Sequence, residues 1–325
     1  MVKAGIIGGA GYTGGEAIRL LLNHPDVELV FVHSNSNAGN LLSDVHRDLA
    51  GDTDMRFTDK VGTDVDVLFL CMGHGDSRKF LESEQLPGRV RIVDLSQDFR
   101  LEKDAVLGDR RFVYGLPELN LSRIEKADNI ANPGCFATCL QLGILPLAAA
   151  GLLGGDLHVN AVTGSTGAGQ KLAATSHFSW RENNFSIYKA FNHQHLNEIC
   201  ESVRALMPSF AGAINFIPCR GDFTRGIFAT IYTECDIAEQ SVVELYKEFY
   251  KEAPFAVVSD AEISLKQVVN TNKCMMHVEK HGNKVLVTSA IDNLLKGASG
   301  QAVENMNIMF GLDRQAGLKL KSVVY

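Results

Sequence analysis

The chain reads as an α/β protein of two domains, a parallel sheet covered by helices followed by an α+β half with a mainly antiparallel sheet. Three observations predict this. Short apolar runs alternate with helix-spaced stretches up to residue 134; a glycine-rich turn joins the first run to the first helix; after Cys135 the runs become strand-like pairs. At 325 residues the chain exceeds the usual size of one core, and a hydrophobic fraction of 46% suffices to bury two.

Val2 to Ile7 is the first apolar run, and it meets Gly8-Gly9-Ala10-Gly11-Tyr12-Thr13-Gly14. Glu16 to Leu22 then carries helical spacing and stops at Asn23-His24-Pro25. Val27 to Val32, Val65 to Cys71 and Val90 to Leu95 read as further buried strands, with Asp128 to Ala131 another before the long helix-like stretch Ala137 to Ala150. Beyond it, Leu157 to Thr163, Ala213 to Ile217, Ile227 to Cys235, Gln267 to Thr271, Met275 to Lys280 and Val285 to Ile291 are expected strands. The last two meet at His281-Gly282-Asn283, a hairpin signal. Lys296 to Phe310 returns to a helical pattern with Ala298, Ala302, Met306 and Met309 on one side, and is expected to pack back on the first domain. The expected division is 1–134 with 296–325 as a dinucleotide-binding domain and 135–295 as a catalytic and self-association domain.

Composition excludes several functions. The formal net charge is −7 and no Lys/Arg block exists, so a nucleic-acid partner is not expected. The first residues enter a strand pattern without the charged start and cleavage site of a signal peptide, and no apolar run reaches the roughly 18 residues of a membrane span. Seven cysteines, odd in number, scattered and without a Cys-x-x-Cys pair, point to reduced thiols in a cytoplasmic enzyme.

Gly9-x-Gly11-x-x-Gly14 matches a dinucleotide fingerprint, and its place between a strand and a helix is the context that gives the pattern meaning. Glycines let the chain turn tightly and let the backbone approach a pyrophosphate at the helix N-terminus. The missing Gly-Lys-Ser/Thr argues against a P-loop. After the second strand, where an acid would accept from an NAD ribose, the chain has His33-Ser34-Asn35-Ser36, which removes repulsion against a 2′-phosphate and favours NADP over NAD. The candidate cofactor contacts are Gly9, Gly11, Tyr12, Thr13, Gly14, Ser34, Ser36, Gly73 and Asn293.

Cys135, in Asn132-Pro133-Gly134-Cys135-Phe136-Ala137-Thr138, sits where strand passes to helix. A helix N-terminus favours an anion, so a thiol there tends toward thiolate and becomes a candidate nucleophile, against the plainer reading of a small packed cysteine. His193-Gln194-His195 supplies candidate bases, whose rings would point to opposite sides if the segment were extended. A zinc site on these groups lacks an evident fourth ligand, and no metal is expected. Ser165, Gly167, Gln170 and Lys171, in a small-residue loop after a strand, and Arg225, able to clamp a phosphate or carboxylate, are the candidate substrate contacts.

Gly9 to Gly14, Asp94-Leu95-Ser96-Gln97-Asp98-Phe99-Arg100-Leu101, Tyr114-Gly115-Leu116-Pro117-Glu118-Leu119-Asn120, Asn132 to Thr138 and Lys296-Gly297-Ala298-Ser299-Gly300-Gln301-Ala302, in that order, resemble the N-acetyl-gamma-glutamyl-phosphate reductase family over almost the whole chain. The resemblance implies a Rossmann domain followed by a glyceraldehyde-3-phosphate-dehydrogenase-like catalytic domain, NADP-dependent reduction of an acyl phosphate in arginine biosynthesis, and Cys135 as nucleophile. The chain departs from the family's pattern at Gln170, at Asn197 before Glu198, and at Pro218-Cys219 and Asp222-Phe223. These departures leave the N-acyl group open between acetyl, succinyl and others. Aspartate-semialdehyde dehydrogenase is a neighbouring alternative, and a nucleotide-sensing protein without catalysis is one of a different class.

Overall fold

The computed structural model describes residues 1–325. Met1–Gly134 with Ala298–Lys319 form one compact unit, and Cys135–Gly297 with Leu320–Tyr325 form the other. No helix is long and apolar enough to cross a membrane.

The first unit contains β1 (Val2–Ile7), α1 (Tyr12–Leu22), β2 (Val27–His33), α2 (Leu42–Val45), β3 (Phe57–Thr58), β4 (Val67–Leu70), α3 (Asp76–Ser83), β5 (Arg91–Asp94), β6 (Val106–Leu107), β7 (Arg110–Tyr114), α4 (Pro117–Ile124) and β8 (Asn129–Ala131). They order as β3-β2-β1-β4-β5-β8-β7-β6. All joins are parallel except β6 on β7. A parallel sheet is covered on both faces, which is why β4 is buried at every position and reads as an unbroken apolar run. α1 buries Ala17, Ile18, Leu20 and Leu21, the aliphatic ones worth about 1.5–3 kcal/mol each. Strand order reverses between β1 and β4, and ligands of such sheets bind at the carboxyl ends beside that reversal. The glycine turn leaves β1 at that end.

The second unit contains α5 (Cys135–Ala149), β9 (Leu157–Thr163), α6 (Phe178–Arg181), β10 (Ser186–Ile187), α7 (His195–Leu206), β11 (Ile214–Arg220), β12 (Ile227–Glu234), α8 (Glu239–Phe249), β13 (Ala256–Ser259), β14 (Cys274–His281) and β15 (Lys284–Ile291). The sheet order is β10-β11-β9-β12-β15-β14-β13. It is mainly antiparallel, with β11 on β9 and β13 on β14 parallel. α5 is apolar all round and buried from Phe136 to Ala148, the signature of a central helix. Pro146 has no N–H to give the Leu142 carbonyl, and the Tyr250 hydroxyl donates to that carbonyl instead, with Tyr246 doing the same for Gly143. A Cβ on Gly143 would lie 2.5 Å from Ile231, so this glycine lets α5 close on β12.

One expectation fails here. Gln267–Thr271 is not a strand: Leu265–Gln267 is a 3-10 turn, Asn270 is left-handed at φ 65°, and the Thr271 hydroxyl folds back to donate to the Val268 carbonyl. Of its two valines, Val268 is fully buried for packing and Val269 half-buried, while the real edge strand is the unpredicted β13. The helix expected over Lys296 to Phe310 is present: it opens as a π-helical turn, Leu295–Ser299, and continues as α9 (Gly300–Met309), which lies in the first unit against α1, α4 and β5 as expected.

Candidate active site

In the first unit the glycine turn is defined by what will not fit. A Cβ on Gly9 would meet Val32 at 2.1 Å and one on Gly14 would meet Gly9 Cα at 2.6 Å, whereas one on Gly11 finds only the Gly8 oxygen at 3.9 Å. Gly9 and Gly14 are thus glycine for packing, and Gly11 keeps an open face. Gly11 is also the N-cap of α1, with no side-chain cap on the first turn and no acid in it. Amide N–H groups at the Tyr12 and Thr13 end are left for an anion, which fits the pyrophosphate of a dinucleotide. Ser34 is buried, Ser36 exposed, and the Asn37 amide donates to both hydroxyls at 3.3 and 3.1 Å. Gly73 is exposed in the loop between β4 and α3.

The same unit pins the loop that precedes Cys135. Arg100 donates to the Asn132 carbonyl at 2.8 Å and to that of Leu95 at 3.0 Å. The Asn132 amide donates to the Ala298 carbonyl at 3.0 Å and accepts from Asn305 at 3.0 Å. Below it, Asp94 accepts from the Ser96 hydroxyl at 2.7 Å, and its burial pushes the carboxyl up to about 6.

In the second unit Cys135 is the first residue of α5 and is half-buried. Gly297 lies against it: a Cβ there would sit 2.9 Å from Cys135 Cβ, so only glycine admits this approach. The Gly297 N–H donates to the Asp292 carbonyl at 3.0 Å. Asp292, fully buried, accepts from Arg225 through both oxygens at 3.1 and 3.2 Å, from the Asn270 N–H at 2.8 Å and from the Leu294 N–H at 2.8 Å. Arg225, expected as a clamp for an external anion, therefore has its fork on an internal carboxylate, because a fully buried Asp needs a charged partner. Asn293, expected at the cofactor, uses its amide inside this unit, accepting from the Gly226 N–H at 2.6 Å and donating to Thr166 at 3.0 Å. That bond holds the Ser165–Gly167 turn against the Arg225 segment, where Ser165 N–H donates to Phe223 at 2.9 Å. Gln170 and Lys171 lie on the exposed stretch that follows Gly169.

The histidines correct a second expectation. The segment is not extended: Gln194 is helical and His195 begins α7, so the two rings meet edge to face at 4.6 Å instead of pointing apart. Both also meet the Phe136 ring, at 5.3 and 6.3 Å, next in sequence to Cys135. The His193 Nδ1 accepts the His195 N–H at 3.2 Å, and burial, then Lys189, lowers its pKa to about 4. Cys139, one turn past Cys135, is fully buried against Ser289, and burial holds its thiol well above the ordinary value. Tyr188 and Asp292 are site residues that sequence reading missed. An acid at the end of a strand, opposite an Arg-Gly turn, was the available signal for Asp292, and Tyr188 carried none.

Two family models match: semialdehyde dehydrogenase, NAD binding domain, over residues 3–127, and semialdehyde dehydrogenase, dimerisation domain, over residues 135–293. The N-acetyl-gamma-glutamyl-phosphate reductase of Bacteroides thetaiotaomicron is 59% identical over 322 residues, 99% of each chain. That of Flavobacterium johnsoniae is 57% identical over 321 residues, again 99% of each. Among solved structures, aspartate semialdehyde dehydrogenase II of Vibrio cholerae complexed with ASA shares the fold at a TM-score of 0.71 and 15% identity, covering 96% of this chain and 98% of its own. A probable aspartate-semialdehyde dehydrogenase of Pseudomonas aeruginosa does so at 0.71 and 18%, covering 95% and 98%. This chain is an oxidoreductase with a nicotinamide-dinucleotide domain, and it belongs to the semialdehyde dehydrogenase family, within its N-acetyl-gamma-glutamyl-phosphate reductases.

Proposed function

We propose that the protein reduces N-acetyl-gamma-glutamyl phosphate to N-acetylglutamate 5-semialdehyde with NADPH, releasing phosphate, in arginine biosynthesis. The observation that carries this reading is Cys135 at the head of the buried helix α5, flanked by Gly297 and by the two histidine rings against Phe136. The Cys135 thiolate attacks the gamma-acyl carbon, the acyl–oxygen bond to phosphate breaks, and a thioester remains. Splitting one displacement into two lowers each barrier. Backbone N–H groups of the first α5 turn hold the oxyanion. When bound, the dinucleotide supplies a hydride. Collapse of the resulting thiohemiacetal returns Cys135 as thiolate and releases the aldehyde.

His195 is our choice for the proton shuttle over His193. The His193 Nδ1 lone pair is already engaged by the His195 N–H, and its lowered pKa keeps it a neutral ring that orients its neighbour. Gly9, Gly11, Tyr12, Thr13 and Gly14 would hold the pyrophosphate, with Ser34 and Ser36 at the ribose and Gly73 close by; the absence of an acid after β2 supports NADP. Ser165, Gly167, Gln170 and Lys171 would meet substrate. Arg225 would act through Asp292, fixing the turn beside Cys135. We also propose a homo-oligomer, a dimer or tetramer, in the cytoplasm. Its basis is the sheet face turned away from α5, which carries half-buried His158, Phe228, Tyr232 and Leu286, and seven cysteines without a disulfide.

The test is the reverse reaction, with N-acetylglutamate 5-semialdehyde, phosphate and NADP, followed by formation of the reduced nicotinamide. Turnover with aspartate semialdehyde in its place would move the assignment to the neighbouring activity.

A further inference from the structure

Outside the groups used above, two guanidiniums meet on the edge of the second unit's sheet. Ser186 of β10 pairs directly opposite Arg220 of β11. Arg181, the last residue of α6, donates to the Ser186 hydroxyl at 3.4 Å, which brings its guanidinium to Arg220. The Arg220 guanidinium in turn lies over the Tyr188 ring, 4.7 Å from its centre. The Nε and Nη1 of Arg181 and the Nε of Arg220 are buried and make no hydrogen bond. Buried donors on two like charges are costly unless something anionic completes them.

The charges nearby do not supply it. Asp222 acts on Arg181 and accepts the Asn183 N–H at 2.8 Å, one carboxylate against two guanidiniums. Burial, then Arg220, lowers the Arg181 pKa, as expected of an uncompensated pair. The cluster also adjoins the candidate active site. The Tyr188 ring meets His193 edge-on at 5.8 Å, and burial, then the charge of Cys135, raises the Tyr188 hydroxyl while Arg220 pulls it down.

We propose that Arg181 and Arg220 form an anion subsite beside Tyr188 that receives a carboxylate of the acyl substrate. This rests on the reading of that substrate as an N-acylated glutamyl derivative. Guanidinium forks suit the planar carboxylate, and Tyr188 joins the subsite to the ring cluster beside Phe136. The carboxylate has two sources, the α-carboxylate of the glutamyl unit and one carried by a dicarboxylic N-acyl group such as succinyl.

Arg181→Gln, Arg220→Gln and the charge-keeping Arg220→Lys are compared with the parent on N-acetyl- and N-succinylglutamate 5-semialdehyde. The Gln variants should raise the KM for semialdehyde about 10- to 100-fold, with the KM for phosphate and for dinucleotide changed by less than about twofold, and Arg220→Lys should recover part of the loss. An equal rise on both substrates assigns the α-carboxylate, and a rise confined to the succinyl compound assigns the acyl carboxylate. An unchanged semialdehyde KM, or a rise in the phosphate KM alone, overturns the subsite. Calorimetric binding of N-acetyl- and N-succinylglutamate needs no turnover. A parent that binds them more tightly than the Gln variants yet turns over neither aldehyde defeats the reaction and keeps the subsite; equal or absent binding defeats the subsite.

Discussion

The glycine turn of the first unit and the Asp292 cluster of the second solve opposite problems. At Gly9 and Gly14 the backbone needs side chains to be absent, since any Cβ would strike Val32 or Gly9 itself. At Asp292 the site needs a side chain of one kind, a carboxylate taking five donors from Arg225, Asn270, Leu294 and Leu295. The turn is built within seven residues, whereas the cluster joins partners tens of residues apart. A backbone site tolerates nothing larger than hydrogen at its packed positions, whether the neighbour is Val32 of β2 or the turn itself. A side-chain site tolerates changes around it so long as its one buried charge stays paired.

Replacing the proposed nucleophile should separate the two most sharply. Cys135→Ala is expected to cut turnover by roughly 10⁴-fold or more while dinucleotide affinity, measured by fluorescence titration, stays at the parent value. Appreciable activity in that variant would end the thioester scheme. Asp292→Ala removes the fully buried carboxylate that the Arg225 fork grips, so unfolding in denaturant should show a loss of about 3–5 kcal/mol. A loss below about 1 kcal/mol would mean the pair contributes no more than a surface ion pair.

The turn predicts a contrast between neighbours. Gly14→Ala must shift the Gly9 backbone and should cost about 1–3 kcal/mol. Gly11→Ala has room and should change stability by less than about 1 kcal/mol, while its methyl raises the KM for dinucleotide by obstructing close approach. Equal effects on stability would contradict the division of roles between these glycines.

The smallest expected effect is a pH dependence of opposite sign in the two units. Burial lowers His193 to about 4, below its unfolded value near 6.5, so between those pH values the unfolded chain binds the extra proton. Stability from this group therefore rises with pH from about 4 and levels off above about 6.5. Asp94, pushed up to about 6 by burial, acts in reverse, binding its proton in the folded state and losing stability as pH rises from about 4 to 6. Thermal midpoints of His193→Asn minus those of the parent should drift upward as pH falls from about 6.5 to 4, and a flat difference would show that His193 is not held neutral.

Local chemistry made much of this legible. β1, β9 and the Gly282-Asn283 hairpin follow from apolar period and turn residues, because each is specified by contacts a few residues away. Cys135 at a helix start was legible for the same reason. The misread Gln267–Thr271 shows the limit: Val268 is apolar because a core surrounds it, and the left-handed Asn270 that breaks the run leaves no mark in the pattern.

The sequence by itself determined the parallel-then-antiparallel plan, the glycine turn and the thiol at the head of α5, all products of nearest-neighbour sterics and burial period. Only the tertiary structure decided that Arg225 pairs with Asp292, that the two histidine rings meet instead of diverging, and that Arg181 comes to Arg220. Those are long-range choices, set by which buried charges and rings the sheet register brings together, and no local spacing encodes them.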